Sequence, residues 1–90
     1  MIEAIHIIVH GRVQGVWFRA GTKERADELE IFGWVKNRPE GTVEIHAEGE
    51  KSKLENFIAW CRKGTPAANV TSLDLDSVSL QNFTSFEILS

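Results

Sequence analysis

The order in which strand-like and helix-like hydrophobic patterns follow one another is the feature of this sequence that most constrains its fold. Within Glu3–His10, Ile5, Ile7 and Val9 alternate with residues of the opposite face, which indicates a β-strand. From about Val16 to Leu29 the pattern recurs every three or four positions, which indicates an amphipathic helix. The predicted elements, in chain order, are a strand over 3–10, a helix over 16–29, strands over 34–37 and 42–48, a helix that begins at residue 52, a strand over 71–80 and a short strand over 83–89.

This order, βαββαβ followed by a short last strand, predicts an α+β sandwich. Two helices would pack on one face of an antiparallel sheet of four to five strands. If each βαβ crossover is right-handed and skips one strand position, the first two strands run parallel and end at the same edge of the sheet. We therefore expect the Gly11–Arg19 segment to lie beside Asn37, about 10 Å or two strand spacings away.

Two local signals refine the element boundaries. Ser52 and Glu55 form a capping box, which predicts that the second helix begins at Ser52. Between Leu75 and Val78 the apolar residues change parity along the strand. That change predicts a β-bulge near Asp76–Ser77.

The composition excludes several classes of protein. The 90 residues allow one domain, over 1–90, and a single cysteine allows no internal disulfide and no cysteine-pair metal site. That residue, Cys61, falls on the apolar stripe of the second helix and is expected in the core. The chain has no membrane-length apolar run and no secretory signal, and its net charge of −3 disfavours nucleic-acid binding. We therefore expect a free-standing, cytoplasmic monomer with no membrane or nucleic-acid partner.

The three histidines do not match a metal site. His6 and His10 share a strand face, but about 13 Å separates them at the rise of a strand, too far for one ion. His6 and His46 would meet across neighbouring strands without a third ligand. We expect no metal, and surface histidines on the face of the sheet away from the helices.

The segment between the first strand and the first helix has the features of an anion site. None of residues 14–17 is a Ser, Thr, Asp or Asn that would cap the helix. Gly11 and Gly15 would let the backbone curl around an anion, and Arg19 lies one turn into the helix. Spacing alone leaves a second interpretation open, in which Gly15 or water caps the helix and Arg19 is solvated.

Two longer motifs are more specific. His10-Gly11-Arg12-Val13-Gln14-Gly15-Val16-Trp17-Phe18-Arg19 resembles the first signature of the acylphosphatase family, and Gly33-Trp34-Val35-Lys36-Asn37, with Gly41, Val43 and Gly49, is similar to the second. Gly64, Pro66 and Val70 match the softer pattern that follows the second helix. The resemblance implies a ferredoxin-like sandwich and hydrolysis of the carboxyl–phosphate bond of small acyl phosphates without metal or cofactor.

The resemblance also implies roles for individual residues. Arg19 would bind the phosphate, and Asn37 would orient the attacking water, although Asn37 on its own is an ordinary turn residue. The family often has glycine where this chain has Glu30. Either the backbone there is left-handed and strained, or the helix runs on through Ile31. The implied backbone donors to the phosphoryl group are in Gly11, Val13, Gln14, Gly15, Val16, Trp17 and Phe18.

Other functions share this order of elements. RNA-binding domains would need aromatic and basic residues on the open face of the sheet, where this chain offers His6, Glu44 and His46. A non-catalytic phosphate- or metabolite-binding module would use the same loop and Arg19 without requiring Asn37. Trp17 lies inside the loop and is a candidate for the wall of the site where the acyl group leaves.

Overall fold

The computed structural model describes residues 1–89 and contains the elements in the predicted order. The strands lie side by side in the order β4-β1-β3-β2-β5. The pair β2–β5 is parallel and the other pairs are antiparallel, so the sheet is mixed rather than purely antiparallel. With that correction, the predicted fold class is confirmed. The elements are β1 (Ile2–Arg12), α1 (Phe18–Glu28), β2 (Phe32–Asn37), β3 (Val43–Glu50), α2 (Lys51–Lys63), β4 (Asn69–Val78) and β5 (Phe86–Ile88).

The hydrophobic core lies between the helices and one face of the sheet. Alternate residues of the central strands point into it, because side chains alternate across a strand. Full burial of one such aliphatic or aromatic side chain contributes about 1.5–3 kcal/mol. The completely buried side chains include Ile7, Val9, Val35, Val43 and Ile45 from the sheet and Phe18, Ala26, Phe57 and Cys61 from the helices.

β3 lies between β1 and β2 and pairs antiparallel with both, so β1 and β2 run parallel as predicted. Val43 of β3 is the register partner of Val9 in β1 and of Asn37 in β2. The carboxyl ends of the two motif-bearing strands therefore lie at the same edge of the sheet, two strand positions apart.

The predicted capping box is wrong. α2 begins at Lys51, its N-cap residue is Glu50, and no side chain caps it. The chain passes from β3 into α2 without a connecting loop, so the cap position falls on the last residue of the strand and Ser52 already lies in the helix. The predicted contrast between a capped second helix and an uncapped first helix does not hold, since α1 also lacks a side-chain cap.

The bulge in the edge strand lies at the opposite end from the prediction. The register between β1 and β4 is continuous at Asp76 and Ser77 and shifts at Thr71, between the pairs His10–Ser72 and Gly11–Val70. The backbone oxygen of Asn69 would be 2.1 Å from a Cβ at Gly11, so this close approach requires glycine. The parity change instead reflects apolar residues exposed at the sheet edge, where Val78 is 39% and Leu80 43% exposed.

At the end of α1, the prediction of a left-handed, strained backbone at Glu30 is correct, and the helix does not run on through Ile31. The helix ends at Glu28, and Glu30 has a φ of +57°, in the left-handed region. Its backbone N–H donates to the oxygen of Asp27 over 3.2 Å. The chain can therefore turn from α1 into β2 at a position where the backbone favours glycine.

The segment between β4 and β5 crosses from one edge of the sheet to the other, and its backbone donates hydrogen bonds to the buried carboxylate of Glu48. Glu48 accepts hydrogen bonds from the backbone N–H groups of Gln81 (2.6 Å) and Phe83 (3.2 Å) and from Nε2 of His46 (2.7 Å). The ring of Phe83 meets that of His46 edge-on, with centroids 5.3 Å apart. His46 is therefore only 3% exposed, which corrects the prediction of a surface histidine.

We predict that Glu48→Gln destabilises the protein at neutral pH and much less at acid pH. Burial raises the pKa of Glu48, but its hydrogen bonds from His46, Gln81 and Phe83 outweigh this and hold the pKa below its usual value. The ionised form thus stabilises the fold above the usual carboxyl pKa, and this stabilisation is lost as the pH falls through the lower native value. Hydrogen bonds to a charged group suggest a loss of about 1.5–3 kcal/mol at pH 7.

Urea unfolding of both proteins at pH 7 and near pH 3 measures this difference. Glu50→Gln is the matched control, because Glu50 lies in the same strand and is exposed, and its ion pair with the N-terminus contributes little. An equal loss of stability at both pH values would contradict the assigned role of the Glu48 charge.

Candidate active site

A cavity of about 350 Å³ opens at the edge of the sheet where β1 and β2 end. It brings together residues from both motifs, as the topology predicted. The first three residues of α1 line it, together with Asn37 at the end of β2 and Ile88 of β5. The full lining is Val13, Gly15, Trp17, Phe18, Arg19, Ala20, Asn37 and Ile88.

The start of α1 supplies this cavity with backbone donors. The first N–H groups of any α-helix have no partner within the helix, and the helix dipole makes that end positive. Trp17 is the N-cap residue, with φ 66° and ψ 18°, and no side chain caps the helix. No acidic residue occupies the first turn. The helix start can therefore attract an anion without a neighbouring carboxylate to repel it.

Two positions in the loop have left-handed backbone. Gly15 has a φ of +73°, which suits glycine, and Trp17 adopts a φ of +66° despite its large side chain. A non-glycine residue held in this region stores strain, and such strain is often found at functional sites. Trp17 is also 80% exposed, so burial in the core does not explain its conformation.

Arg19 is the cation of the cavity. It lies in the first turn of α1 with a half-buried side chain, and it forms no ion pair with a carboxylate in residues 1–89. Arg25 and Arg38, in contrast, pair with Glu28 and Glu40. The guanidinium of Arg19 is thus free to bind an anionic ligand through two parallel hydrogen bonds.

Asn37 presents an unusual buried atom. Its Oδ1 is buried and has no hydrogen-bond partner among the residues that the structure describes. An unpaired buried acceptor costs about 1–3 kcal/mol, so native proteins rarely keep one without a reason. Asn37 is also a lining residue of the cavity, so the unpaired acceptor belongs to a side chain that a molecule bound there would contact.

Three of the predicted loop residues do not line the cavity. Gly11 lies in β1, where it permits the close approach of β4. Val16 is buried, and its carbonyl oxygen accepts a hydrogen bond from Oγ1 of Thr65 (2.6 Å). The side chain of Gln14 bonds to the β2–β3 hairpin.

Sequence analysis missed two lining residues, Ala20 and Ile88. Ala20 directly follows Arg19 in α1. Ile88 enters the site because β5 adds to β2 in parallel and places Ile88 opposite Val35. That pairing joins residues more than fifty positions apart in the chain, and no local pattern in the sequence signals it.

The other reactive side chains lie outside the cavity. Cys61 is fully buried in the core, as predicted, and burial raises the pKa of its thiol strongly, which suppresses the nucleophilic thiolate. His6, His10 and His46 each bond to a carboxylate, of Glu44, Asp74 and Glu48 respectively. Within residues 1–89, no cluster of three or more His, Cys, Asp or Glu side chains is arranged to hold a metal ion.

Known proteins resemble this chain over nearly its whole length. The acylphosphatase family model matches residues 5–88. An acylphosphatase of Methylococcus capsulatus is 45% identical over 89 residues, which cover 98% of this chain and 97% of that protein. The crystal structure of acylphosphatase from Bacillus subtilis superimposes with a TM-score of 0.95 at 41% identity, and each chain is covered completely.

The same fold also occurs as part of a larger protein. Full-length HypF, in its phosphate- and nucleotide-bound form, matches with a TM-score of 0.90 at 26% identity, and the match covers this whole chain but 12% of that one.

No helix in the described part of the chain has the length and apolar character needed to cross a membrane. From the match over residues 5–88 and the 45% identity to a curated relative, this chain belongs to the acylphosphatase family.

Proposed function

We propose that this acylphosphatase hydrolyses the carboxyl–phosphate bond of small acyl phosphates in the cavity at the end of β1 and β2, without metal or cofactor. The products are a carboxylate and inorganic phosphate. The observation that carries the proposal is the meeting of three groups in one cavity: the uncapped start of α1, Arg19 and Asn37.

The phosphoryl group is held by the loop backbone and Arg19. N–H groups at the start of α1 and of the lining loop residues Val13, Gly15 and Trp17 donate to its oxygens, and the Arg19 guanidinium neutralises their charge. Charge on these oxygens is the main feature that the enzyme must stabilise during phosphoryl transfer. Gly11 lies in β1, just before this loop, and does not line the cavity.

Asn37 orients the attacking water. Its side chain lines the cavity, and its Oδ1 has no protein partner in the described part of the chain. A small rotation of this amide would expose Oδ1, which could then accept a hydrogen bond from a water in the cavity. A water held in this way would sit beside the phosphorus of a substrate bound by Arg19 and the loop. Holding two reactants in line contributes much of the rate enhancement in reactions of this kind.

No side-chain acid or base is required. The departing carboxylate is a weak base, so it leaves without being protonated, and an oxygen of the phosphoryl group can accept the proton of the water. The cavity lining fits this scheme, since its only ionisable side chain is that of Arg19.

The acyl group contacts the apolar wall formed by Trp17 and Ile88. Ile88 is 42% exposed and Trp17 is more exposed still, so both offer surface to a ligand at the mouth of the cavity. Burial of apolar surface against them would favour substrates with an aromatic or aliphatic acyl group.

A non-catalytic phosphate- or metabolite-binding module is the alternative. It would use Arg19 and the loop but would not require Asn37, whereas the unpaired Oδ1 of this cavity-lining residue favours the hydrolase. We further propose that residues 1–90 form one domain that acts as a cytoplasmic monomer without a membrane partner. The net charge of −3 argues against a nucleic-acid partner.

We predict that Arg19→Ala and Asn37→Ala each abolish most of the turnover of benzoyl phosphate in excess EDTA. Arg19→Ala removes a positioned donor to developing charge, a loss that typically lowers kcat about 10²–10³-fold. Asn37→Ala leaves the water misplaced, which can lower the rate about 10²-fold. Arg12→Ala and Asn56→Ala are matched controls with exposed side chains outside the cavity, and both should retain activity. Circular dichroism checks that each variant folds. An inactive wild type that still binds inorganic phosphate through Arg19 would support the binding module instead.

We predict a kcat that changes less than about threefold between pH 5.5 and 8.5, because no enzyme group that titrates in this range takes part. His10→Gln is the control, since His10 is the histidine next to the loop in sequence and bonds to Asp74. A bell-shaped profile, or one that His10→Gln alters, would mean that a side-chain acid or base takes part.

We predict that Trp17→Gly lowers kcat/KM for benzoyl phosphate about tenfold and leaves that for acetyl phosphate nearly unchanged. Loss of an apolar contact to one part of a substrate typically changes selectivity by about one order of magnitude. Glycine suits the left-handed backbone at this position. Phe32→Ala removes an exposed aromatic side chain outside the cavity and should not change the ratio. Equal losses for both substrates would argue against an acyl-binding wall.

A further inference from the structure

We propose that the side chain of Gln14 is a positioning residue that sets the separation between the phosphate loop and Asn37. This inference rests on the proposed function, in which the loop holds the phosphoryl group and Asn37 holds the water. Gln14 would act on turnover through the hairpin that carries Asn37, and not through contact with the substrate.

The contacts of Gln14 all reach one hairpin. Its Nε2 donates to the carbonyl oxygens of Arg38 (2.7 Å) and Thr42 (2.9 Å), which lie on either side of the turn between β2 and β3. The same two oxygens close the turn, because Arg38 N–H donates to Thr42 and Gly41 N–H donates to Arg38. Both amide protons of one side chain thus bind the end of the hairpin, one residue beyond Asn37.

Asn37 depends on its backbone for its position. Its Oδ1 has no partner within residues 1–89, so no hydrogen bond at that atom fixes the amide. Its backbone is held by the pairing with Val43 on one side and by the Gln14 contact at Arg38 on the other. A shift of the hairpin relative to the loop would therefore carry the amide with it.

A second side-chain contact holds the loop from the opposite direction. Thr65 donates from Oγ1 to the carbonyl oxygen of Val16 (2.6 Å) and ties the loop to the segment after α2. This contact does not reach the hairpin. The two contacts therefore have separable effects. The hydrogen bond from Thr65 holds the phosphate-binding loop in its conformation, and the hydrogen bonds from Gln14 align that loop with Asn37.

Alignment of the water with the phosphorus is sensitive to small displacements. A misplacement of about 1 Å can lower a rate about 10²-fold while ground-state binding survives. If Gln14 has the proposed role, its loss lowers kcat and leaves phosphate affinity almost unchanged. A residue that merely stabilised the loop would change both together.

The test compares Gln14→Met, which has a similar length but no donor, with Thr65→Val in the full chain. With benzoyl phosphate in EDTA, we expect Gln14→Met to lower kcat about 10–100-fold and to keep the inhibition constant of inorganic phosphate within about threefold. We expect Thr65→Val to weaken phosphate inhibition more than Gln14→Met does. Gln14→Leu, which also lacks the donor and adds no charge near the phosphate, provides a second variant if Gln14→Met fails to fold.

A double-mutant cycle with Asn37→Ala separates positioning from general stabilisation. In the Asn37→Ala background the Gln14 substitution should lower the residual kcat by less than about twofold. An undiminished loss in that background, or a parallel loss of phosphate affinity, overturns the inference. If wild type turns over and Asn37→Ala does not, yet Gln14→Met keeps full kcat, only this inference fails. An inactive wild type overturns the proposed function and this inference with it.

Discussion

The pairing of β3 with both β1 and β2 is the constraint on which the candidate site depends. Val43 pairs with Val9 on one side and with Asn37 on the other, so one buried residue sets the register of β1 relative to β2. A slip of one residue in either ladder would turn Val9 or Asn37 to the opposite face of the sheet. The buried core on the helix face opposes such a slip, because it would expose several apolar side chains. Core packing and site geometry are therefore set by the same register.

The proposed site uses mainly backbone groups, which suits a sequence of 90 residues. The start of α1 offers N–H groups whose direction the helix fixes, and these donors lose no side-chain entropy when they bind a ligand. The two side chains with proposed roles are mounted on regular elements, Arg19 on α1 and Asn37 on β2. This arrangement places strain at Trp17, because the chain turns into α1 at a non-glycine residue with left-handed backbone.

The sequence predicted most of this arrangement, and its errors have physical causes. Element order and the approach of Arg19 to Asn37 followed from periodicity and topology, which act over short stretches of chain. The capping box at Ser52 failed because β3 runs directly into α2, a tertiary arrangement that local propensity does not encode. The burial of His46 and the place of Ile88 both depend on where residues 79–89 cross and join the sheet. Such long-range pairing leaves no periodic signal in the sequence.

The segment between β4 and β5 also connects the region around Glu48 with the cavity. Glu48 holds the backbone at Gln81 and Phe83, and the chain then passes directly into β5, whose Ile88 lines the site. β5 has three residues and pairs with one strand, too little to hold its place by strand pairing alone. Burial of Phe86 against Phe57 supplies part of the remainder, and the bonds to Glu48 supply another. Glu48, a carboxylate on the opposite face of the sheet that has no role in the proposed reaction, thus helps to hold the wall of the cavity in place.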